Sequence, residues 1–142
     1  MKFIILAGNE KKGKTPTMQK VYDLLTKNMK NKPAQNWIYN NNGNKTKDFH
    51  CKLTYKGKEV AIFSAGDTML YIFTAIFTYS DVDYLIISFR TTGSYQNNSI
   101  INEAKKQKQT VINKTVCPAG SNQATIDAAN TKDSMTIEAA II

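Results

Sequence analysis

The sequence predicts an α/β domain, a three-layer sandwich with a mainly parallel central sheet and one antiparallel hairpin. Three observations carry that prediction. Short apolar runs at residues 2–7, 60–65 and 84–89 have the length and the isoleucine and valine content of buried strands. Stretches of helical periodicity stand between such runs, which is the pattern of parallel strands with helices on their faces. One pair of strands only is joined by a turn too tight for a crossover, at Lys56-Gly57.

Taken in order, Phe3-Ile4-Ile5-Leu6-Ala7 is a buried strand ending at Gly8. Met18, Val21, Leu24, Leu25 and Met29 recur at helical spacing and predict an amphipathic helix over 16–30. Trp37-Ile38-Tyr39 is a short strand, and the polar residues 40–47 are an exposed loop. Phe49, Cys51, Leu53 and Tyr55 alternate with Asp48, His50, Lys52 and Thr54, the period of a half-exposed strand. After the Lys56-Gly57 turn, residues 60–65 return as a more buried strand. Residues 67–79 are apolar nearly all round and predict a buried helix. A buried strand at 84–89, a polar helix at 99–107 and a strand at 110–112 follow. A helix runs from Gln123 onward, with an interruption expected at 130–134. No repeat and no second domain are visible, and 142 residues suit one domain.

Composition narrows the function classes. The net charge is +8, almost wholly from lysine, since Arg90 is the only arginine. Such a balance favours anionic partners. The lysines are scattered among asparagines rather than gathered into a stripe, so nucleic acid is not indicated. Cys51 and Cys117 match no metal or redox spacing and read as reduced thiols of a cytoplasmic protein. The first apolar run is too short for a signal peptide, and residues 69–79 are far below the ~20 needed to span a bilayer, so no membrane partner is expected. The apolar tail Ala139-Ala140-Ile141-Ile142 is expected to pack on its own sheet or on a second subunit.

The chemistry is concentrated in Gly8-Asn9-Glu10-Lys11-Lys12-Gly13-Lys14-Thr15, which fits G-x-x-x-x-G-K-[ST] at every specified position. Glycines let a backbone curl so that its amides point inward at phosphate oxygens. A helix that follows presents its positive end to the same anion. Lys14 would reach the β- and γ-phosphates, and Thr15 would ligate Mg²⁺ through its hydroxyl. With an apolar strand before it and a helix after it, this stretch resembles the P-loop NTPase superfamily over residues 1–115. The resemblance implies bound ATP or GTP with Mg²⁺, and a central P-loop strand flanked by the strands ending at Ala65 and Phe89. Pro16 departs from the pattern, because it stands where the superfamily offers an amide to the α-phosphate and proline has none. The fold tolerates proline in a first helical turn.

Ligands of open parallel sheets collect beyond the carboxyl ends of the strands, which brings Ser64, Gly66, Asp67 and Arg90 toward the loop. Asp67 is either an acidic partner of Mg²⁺ or the cap of a helix beginning at Thr68. The aspartate usual at that strand end is missing, with Phe63 in its place. Arg90 is either a bidentate phosphate clamp, a task lysine does poorly, or an ordinary surface arginine. Asp81 and Asp83 sit at the opposite end of their strand as turn residues, and His50 reads as a surface histidine. Lys14 and Arg90 are thus the catalytic candidates of an NTPase or small-molecule kinase. A GTPase-like layout is weaker: Ser64-Ala65-Gly66 ends a D-x-x-G without its aspartate, and Asn113-Lys114 opens an N-K-x-D whose aspartate is Val116. A binding module that holds nucleotide without efficient turnover is the third reading.

Overall fold

The computed structural model describes residues 1–9, 13–91 and 95–142. Six strands there form one mixed sheet, and four helices cover it. The elements are β1 (Lys2–Gly8), α1 (Lys14–Thr26), β2 (Asn36–Tyr39), β3 (Lys45–Tyr55), β4 (Lys58–Phe63), α2 (Met69–Thr78), β5 (Tyr84–Arg90), α3 (Tyr95–Lys106), β6 (Thr110–Asn113) and α4 (Gln123–Ala139).

The strand order is β2-β3-β4-β5-β1-β6. From β4 to β6 the neighbours are parallel, whereas β3 runs antiparallel to β4 and β2 antiparallel to β3. The mainly parallel expectation therefore holds for one side of the sheet, and the other side is antiparallel. One placement is overturned. The β1 strand lies between β5 and β6, with Gly8 opposite Arg90 and Ala7 opposite Asn113. The strand leading to Ala65 is not its neighbour but lies one position further out, beyond β5.

Alternation along the buried strands divides the core into two layers. Ile4, Leu6, Ile62 and Ile86 pack with Met18, Val21 and Leu25 of α1 and with Ile137 of α4. Ile5, Ala7, Phe63, Ile87 and Phe89 pack with Ile72 and Ala75 of α2 and Ile101 of α3. The buried side of α1 reads Lys14, Thr17, Met18, Val21, Tyr22, Leu25 and Thr26, steps of three and four residues that keep one stripe inward. The Lys56-Gly57 turn has both residues at positive φ, 49° and 77°, which matches its twist to that of β3 and β4.

Several boundaries and burials differ from expectation. The β3 strand begins at Lys45, inside the expected loop, because Thr46 donates its hydroxyl to the Ile38 carbonyl and draws that strand onto β2. The α2 helix is not buried: Leu70, Phe73 and Phe77 are exposed, since only the side carrying Ile72 and Ala75 meets the sheet. The α4 helix runs unbroken through 130–134, and Asn130, Asp133 and Ser134 form its buried polar side. Residues 141 and 142 meet the chain's own sheet and helices. Ile141 is buried in the α1/α4 layer, and the Tyr84 hydroxyl donates to the Ile142 carbonyl at 2.8 Å. No helix among the described residues is long and apolar enough to cross a membrane.

Candidate functional site

A cavity of about 730 Å³ opens at the carboxyl ends of the parallel strands. The first turn of α1 forms one wall with Gly13, Lys14, Thr15 and Pro16. Lys47 and Asp48 of β3, with Ser64 and Asp67 beyond β4, contribute further residues. The segment from Lys114 to Ser121, Ile126 and Asn130 of α4, and Ser88 of β5 also line it.

The entry to α1 explains why this end of the helix faces open space. Gly13 holds the N-cap position at φ 86°, a left-handed backbone that glycine adopts without strain, and it provides no side-chain cap. The first-turn amides are thus left for a ligand rather than for a capping side chain. Pro16 is the third residue of the helix, where a missing amide costs no intrahelical bond. Glycine is also required by crowding. A Cβ on Gly8 would lie 2.9 Å from the Lys114 Cβ, and one on Gly13 would lie 3.0 Å from the Asn130 Oδ1.

The Lys14 side chain is buried and folded back, donating from Nζ to the Asn9 carbonyl at 2.5 Å. Asn9 also accepts from the Thr91 hydroxyl at 2.9 Å, tying the end of β1 to the end of β5. Glu10, Lys11 and Lys12 lie outside the described residues. Thr15 donates its hydroxyl to the Asp48 Oδ1 at 2.9 Å. Asp67 is exposed on the cavity lining, but the carboxylate bonded to Thr15 is that of Asp48. Nor does Asp67 cap α2. Thr68 holds the N-cap position and accepts from the Tyr71 amide. Arg90 ends β5 beside Gly8, yet it is not among the described residues that line the cavity.

Asp48 is the residue that sequence reasoning passed over. Its Oδ1 accepts from Thr15 and also from the Ser64 hydroxyl at 2.8 Å, while Ser64 Oγ accepts from the Phe49 amide at 2.9 Å. Three elements therefore converge on one carboxylate oxygen. A signal existed. With the turn at 56–57, His50 pairs with Phe63, so the next steps along the hairpin bring residue 48 beside residues 64 and 65. Antiparallel pairing carries the beginning of β3 to the end of the sheet where β4 and β1 finish.

Beneath the cavity, Lys114 and Asp133 form a buried ion pair at 2.9 Å, with side chains 1% and 4% exposed. Burial acts to raise the Asp133 carboxyl. Hydrogen bonds from the Thr115 hydroxyl, the Lys114 ammonium and the Thr115 amide outweigh it and hold the carboxyl below its ordinary value. Lys114 is thus a floor for the Gly8 and Gly13 backbone whose charge is already answered. Among the described residues, Lys14 and Lys47 are the other lysines of the lining.

His50 is half-buried rather than a surface residue. It stacks on Phe63 at 5.3 Å between centroids and hydrogen-bonds the Tyr79 hydroxyl through Nδ1, and burial lowers its pKa. Asp81 and Asp83 are structural, as expected. Asp81 pairs with Lys52 at 3.0 Å, and Asp83 accepts from the Glu59 amide at 2.8 Å. Both cysteines are free, and burial pushes the Cys51 thiol up to about 12. No protein-family profile, no curated protein and no solved structure matches this chain.

Proposed function

We propose that the chain is a P-loop-type protein that binds the phosphates of a nucleoside triphosphate with Mg²⁺ in this cavity. The observation that carries the reading is the pairing of Lys14 and Thr15 in the first turn of an uncapped helix, directly beyond the strand end at Gly8. Lys14, held on a main-chain carbonyl, would exchange that acceptor for β- and γ-phosphate oxygens. The oxygen donors at the turn suit a magnesium ion, which takes one or two protein oxygens and completes its shell with water and phosphate. Thr15 would hold the ion through its hydroxyl, and Asp48 would hold the Thr15 hydroxyl or a metal-bound water. Bound Mg²⁺ would offset phosphate charge.

Two readings of the chemistry follow. Phosphoryl transfer, as an NTPase or small-molecule kinase, would rely on Lys14 and on Arg90 for charge. Retention of nucleotide with slow turnover is favoured by a specific feature, the position of Arg90 off the cavity lining. A guanine-reading role is the least supported, since Val116 is exposed on the lining where a carboxylate would be needed, and Lys114 is committed to Asp133.

Thermal unfolding with and without Mg²⁺ and ATP or GTP tests the proposal. Ligand at a hundred times its Kd should raise the melting temperature by roughly 5–10 °C. Lys14→Ala should abolish the rise, and Asp48→Asn should weaken its dependence on Mg²⁺. No rise with either nucleotide would sink the reading. Phosphate release no faster than from Lys14→Ala would leave the holding role and remove the hydrolase.

A further inference from the structure

The two helix layers that cover the sheet are unlike. On one face α1 and α4 pack against each other, whereas α2 and α3 on the other face do not meet in that way. The gap between them is a groove of about 350 Å³. Its floor includes Ile5, Ile87 and Phe89, with Ile76 on the α2 wall and Ala104 on the α3 wall. None of its residues lines the cavity at the strand ends.

The α2 wall continues outward as an apolar stripe. Ile76, Phe73, Phe77 and Leu70 are joined by steps of three and four residues, the spacing of neighbours on one side of a helix. Leu70, Phe73 and Phe77 are 73%, 51% and 81% exposed, and no other described element exposes more than one large apolar side chain. A hollow and a ridge of the same chemistry thus share one face. Such a face is complementary to itself, because a two-fold axis brings the ridge of each copy to the hollow of the other.

Size and charge agree with that occupant. An apolar cavity of roughly 150 Å³ accepts a benzene ring, so the groove has room for the rings of Phe73 and Phe77, which stand one helical turn apart. Two chains of net charge +8 repel each other. Of the 19 basic residues, none stands on α2 or lines the groove, so this face offers contact without opposing lysines.

We propose that two copies of this chain associate through this face, with Phe73 and Phe77 of each seated between α2 and α3 of the other. With ~200 Å² for a large side chain, Leu70, Phe73 and Phe77 expose roughly 400 Å² per copy, about 800 Å² over the pair before the groove walls are counted. Specific interfaces begin near about 1,000 Å² in total. The dimer is accordingly a weak one, with a Kd on the order of 100 µM, and dilute samples hold the monomer.

Sedimentation equilibrium from about 5 µM to about 1 mM tests this, the average mass rising from monomer toward dimer across the range. Phe77→Asp sets a carboxylate against the apolar groove and should weaken association by at least about tenfold. Its urea midpoint at about 2 µM, where the monomer is read, should stay near wild type. Ala104→Phe fills the groove from the α3 wall and should weaken association by a similar factor. Met135→Ser removes an exposed apolar side chain from α4 and should leave the Kd within about twofold. A wild type that stays monomeric at about 1 mM overturns the proposal and leaves the face to a different partner. Masses climbing past the dimer overturn the two-fold closure, and a Met135→Ser loss equal to that of Phe77→Asp overturns the choice of face. Wild-type association by Ala104→Phe overturns the seating of the rings.

Discussion

His50 shows how a residue's setting can give the protein a pH response. Its ring is half-buried against Phe63 and Tyr79, and burial lowers its pKa from the ordinary 6.5. Below pH 6.5 the unfolded chain binds a proton at this position more readily than the folded one does, so stability falls as pH falls. The loss continues until the folded histidine is itself protonated. Asp133 adds a later loss of the same sign. Its carboxyl is held low in the fold, so the stability it contributes is present above the ordinary carboxylate range and disappears as pH drops through it. Urea midpoints should be level near pH 7 to 8, decline from about pH 6.5, and decline again below about pH 4. His50→Gln should flatten the first decline and leave the second. An unaltered profile in that variant would exclude His50 as its cause. At this scale the sequence was half legible. Gly8, Gly13, Lys14 and Thr15 declare a spacing that any reader can match, whereas Asp48, Asn130 and Asp133 matter through partners 33, 113 and 18 residues away. Only Asp48, whose pairing follows from a turn, could have been counted out in advance.

Among the elements, α2 separates composition from burial most clearly. Its ten residues, Met69–Thr78, carry no charge, and a helix apolar all round ordinarily belongs in a core. Here Ile72 and Ala75 alone are fully buried, while Leu70 and Phe77 are 73% and 81% exposed. Ile72→Ala should therefore cost about 2–5 kcal/mol by leaving a cavity against the sheet. Phe77→Ser, one and a half turns further along, should change stability by no more than about 0.5 kcal/mol. Comparison of the two unfolding free energies in urea checks this, and a large loss for Phe77→Ser would mean that its side chain is covered. Uniform apolarity leaves no phase from which to read the covered side, so the sequence could not reveal it. The strands behaved differently, because the period-two pattern of β3 and the tight turn after it fix both faces and register locally. In α4 the difficulty was reversed. Asn130, Asp133 and Ser134 look like a break until α1 and Thr115 are in place to receive them.

For the whole molecule, strand count and layer assignment follow from local pattern, but the order of strands does not. Nothing in residues 2–8 announces that their neighbours will be residues 84–90 and 110–113. That placement of β1 also bears on the order of assembly. A chain emerging from its N-terminus offers β1 no parallel neighbour until β5 is made, and no second one until β6 is made, whereas β3 and β4 can close on each other at once. Long-range parallel pairing is entropically slow compared with a hairpin. Pulsed hydrogen exchange during refolding should find the amides of Cys51 to Leu53 protected before those of Ile4 to Leu6; the reverse order would show that β1 nucleates. The cavity draws its walls from residues 13–16, 48, 64, 114–121 and 130. Residues 13–16 are thus made well before residue 130. Until residues 114–130 are made, the Gly8-to-Thr15 stretch lacks the later walls of the cavity. On the proposed function, nucleotide capture would be a property of the finished fold and would act as a final lock on a fold that has already been reached.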